Sequence, residues 1–409
     1  MSSSTPNQYV MAPDRHAEVS DQTLRFSKDG TFQISVFEDL HFAEDASKDV
    51  KSKGVMRYVL EKESPDFVVI NGDLVSGEFT KASNSSEYVH DVVSPLVEKG
   101  KLWASTYGNH DSNTNLSPRQ DVFDQEKKYP NSLTQRKVFA PKAGITNYYL
   151  PVYSHKAPES STPALILWFF DSKGGSYATN RDKDVSPGNR GDWVDASVVD
   201  WFVEAKKNLS AEYDHTIPSL AFFHIPSHAM LKYQQDGFDA SRTPGINGET
   251  VVSQGSMDTD YSGQDRRFME ALLNTTGLMA TFSGHDHKND WCFKWDGHTV
   301  DQDLKGNGIN MCYGRHTGYG GYGDATRGGR QVLLDQETMD DEIKTWIRLE
   351  DGTISAPVTL NATYGQDKYA KINHKRSFET SSASGVHDHS ALLMMICLWL
   401  SIGVMFWRR

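Results

Sequence analysis

The stretch TFSGHDHKND, residues 281–290, sets two imidazoles on either side of a carboxylate just where an apolar run stops at Phe282. Other apolar runs stop in the same way. EDLH follows 31–37 with Asp39 and His41, and NGD follows 67–70 with Asp73. GNHD follows 102–107 with Asn109, His110 and Asp111, and His224 follows 220–223 in HIP. With His285 and His287 these form a set of oxygen and imidazole donors without a thiolate, which suits Zn, Mn or Fe rather than Ca or Cu(I). The seven candidates Asp39, His41, Asp73, Asn109, His224, His285 and His287 are too many for one tetrahedral ion. Shared between two ions with Asp73 bridging, they leave each ion open positions, the mark of a catalytic site. Two divalent ions against two aspartates leave positive charge for a hydroxide and a phosphate. Metal pairs about 3.5–4 Å apart serve in-line displacement at phosphorus. Residues i and i+2 of an extended segment point the same way, so His285 and His287 can aim at one metal pair while Asp286 points elsewhere, as a turn or supporting residue.

These residues need strands that end together. TFQISVF (31–37), FVVI (67–70) and LWASTY (102–107) have strand composition. Between them, 46–62 and 86–98 place valine, leucine and methionine at helical spacing. The order β-α-β-α-β implies parallel strands with right-handed crossovers, hence an α/β fold. In such sheets ligands bind beyond the carboxyl ends of the strands, where all the polar clusters lie. Later apolar runs at 164–170, 220–223, 278–282, 309–312 and 331–334 continue the pattern. Residues 112–160 and 227–265 show no clear period and read as long loops or insertions near the site. GDWVDASVVDWF (191–202) reads as a capped helix, and Asp171 as structural or supporting.

EDLH, NGDLVSG, GNHD, FFHIP and SGHDH, in this order, resemble the calcineurin-like metallophosphoesterases over roughly 24–365. LRFSKDGTFQISVFEDLHF and NMCYGRHTGYGGYG look like the branch labelled purple acid phosphatase 29-like or Dcr2-like phosphatase. The resemblance implies a sandwich of two mixed β-sheets flanked by helices, with a dinuclear metal site at the strand ends. It implies one ion (Mn, Fe or Zn, divalent or trivalent) on Asp39, His41, Asp73 and His287, and a second on Asp73, Asn109, His224 and His285. His110 would stand beside the ions, oriented and kept cationic by Asp111. The function it implies is hydrolysis of phosphate esters by a metal-bound hydroxide, with His110 protonating the leaving oxygen. A phosphomonoesterase is the leading reading. A phosphodiesterase acting on lipid head groups or nucleotides, and an inactive membrane-tethered binding module, are the alternatives. True purple acid phosphatases carry a tyrosinate ligand three residues after the bridging aspartate and lack a histidine ligand at the place of His41. Ser76 occupies the tyrosinate position here, so no tyrosinate-to-iron colour is expected.

GRHTGYGGYG (314–323) has the wrong spacing for a dinucleotide loop. It is open to two readings: a mobile substrate wall with Arg315 or His316 near the phosphate, or a glycine-rich turn that packs closely. Over 409 residues the composition is 37% hydrophobic and 11% aromatic, that of a globular chain. A net charge of −12 argues against nucleic acid as a partner. Cys292 and Cys312 either pair with each other or stay as buried thiols; with Cys397 they are too few for a disulfide framework. Glycosylation triplets at Asn84, Asn115, Asn208, Asn274 and Asn361 hint at a lumenal or extracellular body, although residues 1–23, a flexible segment, show no signal-peptide core. Residues 366–390 read as a polar stalk. ALLMMICLWLSIGVMFW (391–407) reads as a hydrophobic membrane anchor: a tail helix of about 26 Å followed by Arg408-Arg409, or a signal for lipid attachment. Both place the body at a membrane, in the secretory lumen or outside the cell.

Overall fold

The computed structural model describes residues 22–81, 83–112, 119–156, 160–175, 191–256, 261, 263–300 and 304–370. The chain divides into two units, 1–372 and 373–409, and the second lies outside the described residues, as do the expected anchor and most of the expected stalk. Among the described residues no helix is long and apolar enough to cross a membrane.

Two mixed six-stranded sheets face each other. The first contains β1 (Thr31–Phe37), β2 (Phe67–Asn71), β3 (Trp103–Thr106), β10 (Gly328–Asp335), β11 (Ile343–Leu349) and β12 (Ile354–Leu360) in the order β12-β11-β10-β1-β2-β3. The second contains β4 (Tyr148–Tyr153), β5 (Pro163–Phe170), β6 (Ser219–Phe223), β7 (Leu278–Ser283), β8 (Cys292–Val300) and β9 (Leu304–Tyr313) in the order β4-β5-β6-β7-β9-β8. β1, β2 and β3 are mutually parallel, as are β5, β6, β7 and β9, so their carboxyl ends leave each sheet on one side. The crossovers are helices. α1 (Ala46–Glu63) starts where the Asp45 carboxylate accepts from the Ser47 and Lys48 amides, and stops at Ser64, left-handed at φ 47°, before Pro65. α2 (Ser85–Glu98) covers the first sheet beside it, and Val55, Met56, Val59, Leu60, Val89, Val92, Val93 and Leu96 bury against Val68, Ile70 and Trp103. On the second sheet lie α4 (Ala196–Tyr213), α5 (His228–Gly237) and α6 (Arg266–Leu273). α3 (Arg119–Glu126) falls in the stretch expected to lack regular structure, and so does β4. The helix expected from 191 begins later, with Asp195 as its cap, leaving Trp193 and Val194 ahead of it.

Between the sheets, Phe32, Ile34, Val36, Phe67 and Val69 meet Leu167, Phe169, Leu220, Phe222 and Phe282. Tyr148, Phe169, Phe222 and Phe282 stack across four adjacent strands, with ring centres 4.6, 5.3 and 5.2 Å apart. Removing one such ring costs about 3–5 kcal/mol. This stacking holds β5, β6 and β7 in the register that delivers His224 and His285 to one level. The Cys292–Cys312 alternative resolves as a disulfide between directly paired residues of β8 and β9, with Cα atoms 4.0 Å apart.

Candidate metal centre

Each expected ligand lies just beyond a strand: Asp39 and His41 after β1, Asp73 after β2, Asn109 after β3, His224 after β6, and His285 and His287 after β7. The turns are sharp. Asp39, His41, Asp73 and His285 all sit in the left-handed region, at φ 53°, 48°, 51° and 77°. Non-glycine residues there cost about 1–3 kcal/mol each, and such costs cluster at functional sites. The turns are also close-packed: a Cβ on Gly72, at φ 94°, would lie 2.3 Å from His224 Nδ1.

Three groups of side chains bring donor atoms within 4.8 Å of one another: Asp39, His41 and His287; His41, Asp73 and His110; Asp73, His224 and His285. Asp73 belongs to two of them, as a bridging ligand must. His41 Nε2 and His287 Nε2 face each other at 3.1 Å. Two nitrogens bound at about 2.1 Å to one ion lie about 3.0–3.4 Å apart, so the pair is spaced for a shared metal. His224 Nε2 is 3.0 Å from Asp73 Oδ2 and 3.7 Å from Asp39 Oδ1 without an aligned hydrogen bond. Asn109 Oδ1 is likewise buried without a partner. Buried polar atoms left unmatched are costly, and a cation satisfies these. The donor set therefore fits a metal.

For three of the four rings the far side fixes the orientation. His224 Nδ1 donates to the Asn71 carbonyl at 2.8 Å, and His287 Nδ1 to the Tyr322 carbonyl at 3.0 Å. His41 Nδ1 meets Ser76 Oγ at 2.8 Å, and that hydroxyl donates to Glu44 Oε1 at 2.9 Å. These contacts leave each Nε2 lone pair for an ion. Burial pushes His285 down to about 3, His287 to about 4 and His41 well below its ordinary value, so all three stay neutral at pH 7. Burial opposes the charge on His224 too, but Asp73 and then Asp39 outweigh it and hold the ring up at about 10. Without metal, a proton on His224 supplies the positive charge between the carboxylates, and an arriving ion would release it.

His110 differs. Burial lowers its pKa, but Asp73 and Glu78 more than offset this and hold it at about 9. Its Nδ1 donates to Glu78 Oε1 at 2.8 Å, and its amide donates to Asp73 Oδ1 at 2.7 Å. This corrects the expectation for Asp111, whose carboxylate accepts from the Leu74, Val75 and Gly108 amides at 2.9, 3.1 and 2.8 Å. Asp111 ties the Asp73 turn to the Asn109 turn. Glu78, on the short 3-10 turn Gly77–Phe79, is the carboxylate that holds the ring.

A family model for calcineurin-like phosphoesterases matches residues 36–289. The chain belongs to that family. It is 30% identical over 378 residues, 83% of this chain and 87% of the other, to a protein of Arabidopsis thaliana named "Probable inactive purple acid phosphatase 29". It is 26% identical over 364 residues to "Phosphatase DCR2" of Saccharomyces cerevisiae, covering 83% of this chain and 57% of that one. A dimetal phosphatase from Danio rerio, 12% identical, overlays with a TM-score of 0.48 over 81% of this chain and 98% of that structure.

Of the two readings left open for the glycine-rich loop, the structure supports close packing and removes Arg315 and His316 from the phosphate site. Arg315 is buried and ion-paired with Asp290, and its Nε donates to the Thr326 carbonyl at 2.9 Å, so it anchors the loop rather than binding phosphate. His316 is also buried, with its ring 4.0 Å from His287 and Nε2 3.1 Å from the Gly320 carbonyl, so it packs behind the ligand. Close packing, rather than a mobile wall, accounts for the glycines: a Cβ on Gly321 would lie 2.4 Å from His287 Cε1. Asp286 behaves as a supporting residue, accepting from Tyr313 Oη and the Val252 amide. Asp171 pairs with Arg119 at 2.9 Å, away from the ligand groups.

Proposed function

We propose that this protein is a dinuclear-metal-dependent hydrolase of phosphate esters, most readily of monoesters. The convergence of buried, unmatched donor atoms beside an imidazole held cationic by a carboxylate carries the reading. In it Asp39, His41, Asp73 and His287 hold one ion, and Asp73, Asn109, His224 and His285 the other. Bound ions would supply Lewis acidity toward the phosphoryl oxygens and a water of lowered pKa. With Nδ1 taken by Glu78, His110 presents its Nε2–H outward. There it hydrogen-bonds a phosphoryl oxygen and protonates the leaving oxygen. The Asn71 and Tyr322 carbonyls and the Ser76 hydroxyl orient the rings, and burial of the ligands limits competing water.

The relative from Arabidopsis thaliana is called inactive, but every expected ligand position is filled here, which supports activity. The names of the relatives favour the monoester over the diester. The test is hydrolysis of p-nitrophenyl phosphate against bis-(p-nitrophenyl) phosphate after chelation and restoration of Mn²⁺ or Zn²⁺. Metal-dependent preference for the monoester is expected; preference for the diester would make the protein a phosphodiesterase. Inactivity on both with metal bound would leave a binding module. Residence at a membrane in an oxidising compartment is part of the proposal. The Cys292–Cys312 disulfide and the exposed triplet residues Asn208 and Asn274 support the oxidising compartment, and the apolar run 391–407 is the ground for the membrane.

A further inference from the structure

We infer that Tyr322 selects the leaving group, favouring phosphate esters whose alcohol presents an aromatic or flat apolar face beside the phosphate. The inference rests on the phosphoesterase reading. Among the described residues eight large apolar side chains are exposed, and Tyr322 is one that packs directly on an expected ligand. Phe79 directly follows Glu78, the partner of His110, and is 57% exposed. Val252 is 37% exposed and its amide donates to Asp286, between His285 and His287. Tyr322 is 48% exposed and stacks on His287, with ring centres 4.0 Å apart and planes 13° from parallel. Tyr322 thus sets a half-exposed aromatic ring against a ligand, and no substrate-binding arginine comes from 315.

Tyr322 is also held in place. Its carbonyl accepts from His287 Nδ1, its hydroxyl donates to Glu249 Oε1 at 3.0 Å, and Gly321 and Gly323 flank it at φ 65° and 92°. The Glu249 carboxylate also accepts from the Lys288 amide at 2.7 Å, which ties the tyrosine to the His287 turn. The Lys288 ammonium lies over the ring, 5.7 Å from its centre and within cation–π reach, so an arriving aromatic group shares the ring with it. A ring fixed before substrate arrives loses little freedom on binding, so its contact appears as affinity.

The experiment measures kcat/KM for 1-naphthyl phosphate and glycerol 2-phosphate with the full chain, its Tyr322→Ala and Tyr322→Phe variants, and Mn²⁺ restored. Aromatic contacts of this kind are worth about tenfold at most, so Tyr322→Ala should lower the naphthyl-to-glycerol ratio by about that factor, through KM. Tyr322→Phe keeps the ring and should keep the ratio. The backbone carbonyl that holds His287 survives both substitutions, so metal content should hold. An unchanged ratio in Tyr322→Ala, or a parallel fall for both substrates, would overturn the inference. Calorimetric binding of phenylphosphonate against methylphosphonate separates the two readings. Tyr322-dependent preference for the phenyl compound without any hydrolysis would sink the hydrolase and keep the selector. Hydrolysis with no such preference would do the reverse.

Discussion

Replacing Glu78 by glutamine keeps the side-chain shape and removes the charge of the carboxylate whose Oε1 accepts from His110 Nδ1 at 2.8 Å. In the metal-free site Asp73 contributes more than Glu78 to holding His110 at about 9. Ions bound to Asp73 neutralise that contribution, so Glu78 is the anion left to keep the ring protonated. A charge-assisted hydrogen bond is worth about 1.5–3 kcal/mol, and with both side chains about a third exposed, solvent screening brings this to roughly 1–1.5 kcal/mol. That is about one pKa unit. The sign follows from the role: the acid form is active, so the rate falls as pH rises through the pKa of His110. Glu78→Gln should move this alkaline limb down by about one unit. At a pH above the limb, turnover should fall about tenfold on phenyl phosphate and less on p-nitrophenyl phosphate, whose leaving group needs less protonation. The assay is kcat against pH for both esters, with metal content measured alongside. An unmoved limb, or equal losses on both esters, would refute the assignment of His110 as the acid and Glu78 as its support.

Three other outcomes are expected. His110→Ala should lower turnover on phenyl phosphate by roughly 10²–10⁴ with metal content unchanged, since another group of ligands holds each ion; undiminished turnover would reduce His110 to a scaffold residue. Arg315→Ala should leave KM for phosphate esters alone but destabilise the fold by about 3–5 kcal/mol, read by thermal or urea unfolding, because Asp290 is left buried without its cation. The aerobically purified protein should lack a tyrosinate charge-transfer band in its visible spectrum, since Ser76 stands beside His41 where that ligand would be; a strong band would contradict this ligand set.

The ligands were legible in the sequence because each lies at a fixed offset after an apolar run, and parallel strands end together for topological reasons. β8 was illegible for the opposite reason: CFKWDGHTV mixes charge with apolar residues and has no clean alternation. α3, in RQDVFDQE, buries only Arg119, Val122 and Glu126, too few apolar positions to show a helical period. The residues that support the ligands were harder still. The family resemblance implies that Asp111 orients His110, yet adjacent residues on a tight turn point apart, and the Asp111 carboxylate turns inward to three amides. Glu78 reaches His110 from a different loop, five residues beyond Asp73, and a spacing of that kind has no periodic signature. The signal that was present is chemical: a carboxylate close after NGDLVSG and an imidazole in GNHD follow neighbouring parallel strands, so their turns come within reach of each other. Four ligands in left-handed turns make the same point. The apolar strands fix where the chain must leave each sheet, and the strained turns set how sharply, so strand order can be read from composition while the aim of each side chain depends on which partner lies within reach.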